Sequence, residues 1–257
     1  MIISHRYRYL FVQVPQTASS SIGTELCENY AGEPILYKHA RYSEFLEEAS
    51  PEEKEYFVFA GIRNPLDCMV TEYFRRKAGK RTEENRLHLE KYIFIRDNNA
   101  TFSEFVKKYH HHFHKPERFL YRDVNFIYKY ENLQVDFSRV LVKLDIEQKR
   151  PLPRFNKTTG KTEPFLSYYT GEIQPIVRIA LGKRMKQAGY RFPADWLSSP
   201  GRTPFLCLTA LVRTAALVIR LMRMRSNAPV NPGSHDTYTR RLRKVYIEDK
   251  KTGADRE

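Results

Sequence analysis

Two short stretches of this sequence carry side chains suited to holding an anion. Thr17, Ser19, Ser20 and Ser21 crowd together directly after the apolar run Tyr7 to Val14 and directly before a helix-like stretch, Ile22 to Tyr30. A strand that turns through small hydroxylated residues into a helix aims the first-turn N–H groups, and the positive end of the helix dipole, at whatever sits there. Phosphate or sulfate is the natural guest. The plain alternative is an ordinary capped helix, since Ser and Thr are common N-caps. The second stretch begins at Arg63, which follows another apolar run, and reaches Thr71 eight residues on. Two helical turns along, a hydroxyl can join a guanidinium fork on one phosphate. Here the alternative is an i,i+4 pair of Arg63 with Asp67. Both loops together make two anion sites on one sheet edge the better account.

These residues can act only if strands deliver them to the same edge. Tyr56 to Ile62 is a nearly continuous apolar run of the kind buried on both faces of a parallel sheet, and it ends at Arg63-Asn64-Pro65, with Pro65 suited to the first turn of a helix. Ile35 to Tyr37 and Val124 to Tyr130 are further strand candidates, while Ser43 to Glu48, Phe102 to Tyr109, Leu133 to Leu144 and Glu172 to Ala188 read as helices. Such alternation predicts an α/β fold of three layers with a mostly parallel central sheet, whose ligands bind at the carboxyl ends of the strands. Lys77 to Asn99 is dominated by charge and reads as an insertion or lid. The expected division is a catalytic domain over 1–197, then a linker, an amphipathic helix and a polar basic tail over 198–257.

Composition narrows the partners. A formal charge of +14 on 257 residues suits binding of polyanions, anionic lipid or charged small substrates. No zinc-finger spacing, RNP-like aromatic motif or GxxG loop in a convincing context accompanies it, so nucleic acid ranks below a nucleotide and an acidic or membrane-bound substrate. Cys27, Cys68 and Cys207 are odd in number and lack metal-ligand spacing, which points to a reducing compartment. His110, His111, His112 and His114 invite a metal, but consecutive side chains diverge, and a solvated basic patch is the favoured reading. A first strand near Met1 leaves no room for a leader, so the expected location is cytoplasmic.

In combination the motifs resemble the sulfotransferase family. Val14-Pro15-x-Thr17-Ala18-x-x-Ser21 is similar to its 5′-phosphosulfate loop, and Ile62-Arg63-Asn64-Pro65-Leu66-Asp67 with Thr71-Glu72-Tyr73-Phe74 to its 3′-phosphate motif. Phe126 to Leu133 with Asp136-Phe137 resembles the following strand and helix, and Leu152-Pro153-x-x-Asn156-Lys157-Thr158, Tyr168-Tyr169-Thr170 and Gly189-Tyr190-x-Phe192 its closing segment. The likeness covers residues 1 to about 195 in order and is to the bacterial carbohydrate-type branch. It implies a nucleotide-kinase-like, P-loop-related fold and transfer of a sulfuryl group from 3′-phosphoadenosine 5′-phosphosulfate to a hydroxyl of a glycan or lipid-linked saccharide, with no metal. Gln16, Thr17, Ala18, Ser19, Ser20 and Ser21 would then hold the 5′-phosphosulfate, and Arg63 and Thr71 the 3′-phosphate. A kinase is the weaker alternative, since the Gly-x-x-x-x-Gly-Lys-Ser/Thr signature is missing.

One departure concerns the chemistry. The family usually carries Lys at the position of Gln16, where a cation neutralises charge growing on the bridging oxygen, and loss of such a donor is worth roughly 3 kcal/mol, or about a hundredfold in rate. Lys38, on a neighbouring loop, is the candidate replacement; the alternative is a catalytically impaired nucleotide-binding relative. Thr71 stands for a usual Ser, and Cys68 for a common Arg. His39 is the candidate base for the acceptor hydroxyl, with Glu72 and Asp67 as weaker ones. Over Thr203 to Arg225, Thr209, Arg213, Arg220 and Arg223 share one stripe of an otherwise apolar helix. Its central arginines, at about 3 kcal/mol each, make it a poor membrane span. An interfacial helix on an anionic membrane surface and a helix packed on the protein or in a homodimer are the two readings.

Overall fold

The structure, a computed structural model, describes residues 1–80, 85–113, 124–153 and 158–197. Its frame is a five-stranded sheet of β1 (Ile2–Ser4), β2 (Tyr9–Val12), β3 (Glu33–Pro34), β4 (Phe57–Ile62) and β5 (Phe126–Lys129), in the order β3-β1-β2-β4-β5. β2, β4 and β5 run parallel, with Phe11 opposite Phe59 and Gly61 opposite Tyr128. β1 opposes both β2 and β3, so it alone of the five runs against the rest. The mostly parallel sheet is therefore present, with one antiparallel hairpin that the sequence pattern did not reveal: Ile2-Ile3-Ser4 is too short a run to show alternation, and Arg8 turns at φ 52° to start β2. For the same reason β2 is shorter than the apolar stretch Tyr7 to Val14.

Strand alternation divides the core between two faces. Tyr9, Phe11, Phe59 and Tyr128 meet Ile22 and Leu26 of α1 (Ser19–Asn29) and Phe137, Val140 and Leu141 of α6 (Leu133–Lys143) on one side. Leu10, Val12, Val58 and Ala60 meet Phe45 of α2 (Tyr42–Glu48) on the other, which makes the three layers. β4 is buried along nearly its whole length, as its unbroken apolar sequence requires. After it, Asn64 caps α3 (Pro65–Lys77) by accepting from Leu66 N at 3.0 Å, and Pro65 occupies the first turn. Tyr73 of α3 packs edge-on against Phe102 of α5 (Phe102–Tyr109), and α7 (Gln174–Gln187) packs against both helices.

All of this belongs to one compact unit, Met1–Ala78 with Phe102–Arg191; the described residues of 79–101 and 192–197 belong to a second. The charge-rich stretch expected as an insertion thus falls mostly in a unit apart from the sheet. It contains a helix of its own, α4 (Arg86–Asp97), capped by Asn85 and burying Leu89 and Ile95. The strand expected at Ile35 to Tyr37 is a correction: β3 comprises Glu33 and Pro34, and the chain then leaves the sheet at Leu36, φ 50°. Among the described residues no helix is long and apolar enough to cross a membrane. Thr203 to Arg225, Cys207, His114 and the Asn156-Lys157 pair lie outside the described residues.

Candidate active site

The site grows from the loop between β2 and α1. Gln16 (φ 66°) and Ala18 (φ 64°, ψ 21°) both take the left-handed backbone conformation, on either side of Thr17. For side chains other than glycine this costs about 1–2 kcal/mol per residue. Such alternation turns successive peptide N–H groups into one concavity, a nest for an anion. The strain is held by packing. Thr17 Oγ1 donates to Val14 O at 2.9 Å, and the Tyr128 hydroxyl is shared between Thr17 O at 3.0 Å and Thr17 Oγ1 at 3.1 Å. Burial pushes the Tyr128 phenol far above its ordinary range, so it remains a neutral donor. Its ring reaches the loop by lying across Gly61, where a Cβ would stand 2.2 Å from it; only glycine leaves that space.

The loop feeds directly into the first turn of α1. Ala18 supplies no side-chain cap and no acid sits in that turn, so the helix end keeps its positive character. The buried Gln13 amide donates to Ser19 O at 3.2 Å, in space that a Cβ on Gly23 would enter. Lys38 Nζ donates to Ser20 Oγ at 2.9 Å. His39 Nδ1 lies 2.7 Å from Gln13 O. A carbonyl oxygen can only accept, so Nδ1 carries the hydrogen and Nε2 is the basic nitrogen of the neutral ring. The candidate cation and the candidate base are thus tied to the loop from one side, Lys38 through Ser20 and His39 through Gln13.

Arg63 closes the other side. Its Nε and Nη2 reach Asp67 Oδ2 at 2.9 and 2.8 Å, Nη2 also donates to Thr71 Oγ1 at 2.9 Å, and Nη1 donates to Gln16 O at 3.1 Å. The guanidinium lies 3.9 Å from the centre of the Tyr130 ring. Arg63 thus makes the i,i+4 pair with Asp67 and also meets Thr71. The other Asp67 oxygen holds Lys161, and Tyr169 donates to Leu66 O at 2.7 Å, which brings the closing segment to the start of α3. Two cations surround one carboxylate, leaving a net positive patch.

Thr17, Ser20, Lys38 and His39 on one side and Arg63, Asp67 and Thr71 on the other are each tied in by a hydrogen bond, with Gln16 O joining the halves. The weaker base candidates do not fit. Asp67 is ion-paired twice, and the buried Glu72 pairs with Arg76 at 3.3 Å. His110 Nδ1 donates to Lys107 O, His111 packs on His112, and no metal-binding group of three occurs among the described residues. Gln13 and the positioning roles of Tyr128, Tyr130 and Glu131 escape a reading of the sequence. Glu131 accepts from Asn64 N at 2.8 Å and from Tyr190 at 2.7 Å. The available signal was a polar residue ending an apolar strand for Gln13, and the run Tyr-Lys-Tyr-Glu-Asn after β5 for the others.

A family model described as the sulfotransferase family matches residues 1–186. The chain belongs to the sulfotransferase family. No curated protein and no solved structure matches it. The matched span contains the whole nest, Lys38, His39, the Arg63 cluster and Lys161, and ends within α7. Within that span the β2–α1 nest and the Arg63 patch are joined by the hydrogen bond from Arg63 to Gln16 O.

Proposed function

We propose that this sulfotransferase transfers the sulfuryl group of 3′-phosphoadenosine 5′-phosphosulfate to a hydroxyl of a carbohydrate. The donor set fits such a nucleotide: a backbone nest with an unopposed helix N-terminus, hydroxyls of Ser19, Ser20 and Ser21, and net positive charge at Arg63 and Lys161. In this reading Thr17 acts through its backbone and Arg63 with Thr71 takes the 3′-phosphate. The nucleotide supplies the activated sulfuryl group. His39 Nε2 takes the acceptor proton, held in that tautomer by Gln13 O. Lys38, fixed on Ser20, provides the positive charge that Gln16 lacks.

The observation that carries this reading is the convergence of Lys38 and His39 on a strained anion nest whose other side is gripped by Arg63. Adenosine 3′,5′-bisphosphate should bind at least tenfold more tightly than adenosine 5′-phosphate by calorimetric titration. Equal affinities would remove the role given to Arg63 and Thr71. The rival reading, a nucleotide-binding relative without turnover, rests on Gln16. It predicts the same binding and no transfer of labelled sulfate to any glycan.

A further inference from the structure

The sheet order sets the two sides of the nest apart. Arg63 follows β4, which neighbours β2 on one side, while Lys38 and His39 follow β3, which lies beyond β1 on the other. On that second side a cavity of about 480 Å³ opens, within the range of roughly 300–1,000 Å³ usual for ligand sites. Ser20, Thr24 and Glu28 line it from one face of α1, and Ile35, Leu36 and Lys38 from the facing loop. It shares Ser20 and Lys38 with the nest, and it shares Gln13, whose carbonyl oxygen holds His39.

We infer that this cavity is the acceptor subsite and that it takes an uncharged saccharide of one or two rings, an inference that rests on the proposed donor reading. Transfer in line requires the incoming oxygen and the departing phosphate to lie on opposite sides of sulfur. With the nucleotide's 3′-phosphate on the β4 side, the acceptor belongs on the β3 side, where the cavity is. Its hydroxyl gives its proton to His39 Nε2 as the new O–S bond forms. The bond from sulfur to the 5′-phosphate oxygen breaks and leaves its electron pair there.

The walls suit a sugar better than a polyanion. One charged side chain of each sign lines it, Lys38 and Glu28, and Glu28 pairs with Arg150 at 2.7 Å. Apolar Ile35 and Leu36 face the hydroxyls of Ser20 and Thr24, matching a ring with C–H faces and a hydroxyl edge. Leu36 is 43% exposed and its neighbour Tyr37 59%, large apolar surface at the lip of the cavity. The Tyr37 hydroxyl donates to Glu44, which fixes the ring beside the lip.

The test uses the full chain saturated with adenosine 3′,5′-bisphosphate and a set of uncharged p-nitrophenyl hexosides and N-acetylhexosaminides, with saccharide binding read by saturation-transfer NMR. Thr24 is exposed on α1, so Thr24→Trp fills the cavity without entering the core; Leu36→Ala trims the opposite wall. Thr24→Trp should weaken saccharide binding at least tenfold and Leu36→Ala about threefold to tenfold, with the bisphosphate affinity of both unchanged. Saccharide binding untouched by both variants overturns the assignment. An equal loss of bisphosphate affinity gives the cavity to the donor and overturns it as well. Binding of bisphosphate with no saccharide bound by the wild-type chain overturns the acceptor class while the donor reading stands. Failure of the bisphosphate itself to bind removes the donor reading and this inference with it.

Discussion

The two sides of the candidate site are built on different physics. Around Arg63 the groups are buried and joined to one another: guanidinium, carboxylate, hydroxyl and aromatic ring form a closed set, Arg63 itself only 9% exposed. Around residues 16–21 the polar groups belong largely to a strained backbone and to the hydroxyls of buried Thr17, Ser19 and Ser21 and half-buried Ser20, with Lys38 and His39 reaching in from a solvent-facing loop. Buried, mutually satisfied charges lose little freedom when a phosphate arrives and confer affinity. A backbone nest at a helix end, with a base and a cation beside it, is suited to charge that moves during reaction. Under the proposed donor reading, affinity then lies mainly on the Arg63 side and rate mainly on the loop side.

Substitutions can break that division. His39→Ala should lower turnover about 10²–10⁴-fold with bisphosphate affinity unchanged, since a general base acts on the acceptor. Loss of nucleotide binding in a titration of that variant would make His39 a structural brace for Gln13. Lys38→Ala should cost about a hundredfold in turnover, and Gln16→Lys in that background should restore most of it, because either cation can meet the growing charge. Steady-state assay of the single and double variants decides; independent effects would sever Lys38 from the transition state. Arg63→Lys keeps the charge beside Asp67 but loses the fork, and should weaken the bisphosphate about tenfold to a hundredfold with little change in turnover at saturation. A fall in turnover at full occupancy would erase the division between the two sides. Smallest of all, Tyr128→Phe removes the donor to Thr17 O. At about 1 kcal/mol it should weaken bisphosphate binding by about fivefold and lower the melting temperature by a few degrees. An unchanged melting curve together with unchanged affinity would show that the nest holds its own strain.

Much of this arrangement is legible without coordinates. The apolar run before Arg63, the proline after it and the hydroxylated turn after Val14 announce two strand–turn–helix passages, and Phe102–Tyr109 appears with the bounds its periodicity indicates. What escaped reading depends on contacts between distant segments. Ile2–Ser4 is a strand because Phe11 and Leu10 lie beside it, and nothing in three residues shows that. Ile35 to Tyr37 has strand-like composition, yet the left-handed turn at Leu36 takes it out of the sheet and makes it a cavity wall.

Residue types and local spacing were enough to specify which groups could bind an anion, because a helix N-terminus after a strand and an Arg eight residues before a Thr are short-range geometry. The identity of the chemistry likewise lies in the order of motifs along the chain. Which groups cooperate was settled by folding alone. Gln16 O finds Arg63 across 47 positions, Thr17 finds Tyr128 across 111, and His39 finds Gln13 across 26. Hydrogen bonds over such separations exist only once β2, β4 and β5 lie side by side and the chain after β3 folds back beside them. No local pattern encodes them, since each partner alone is an ordinary tyrosine, amide or carbonyl.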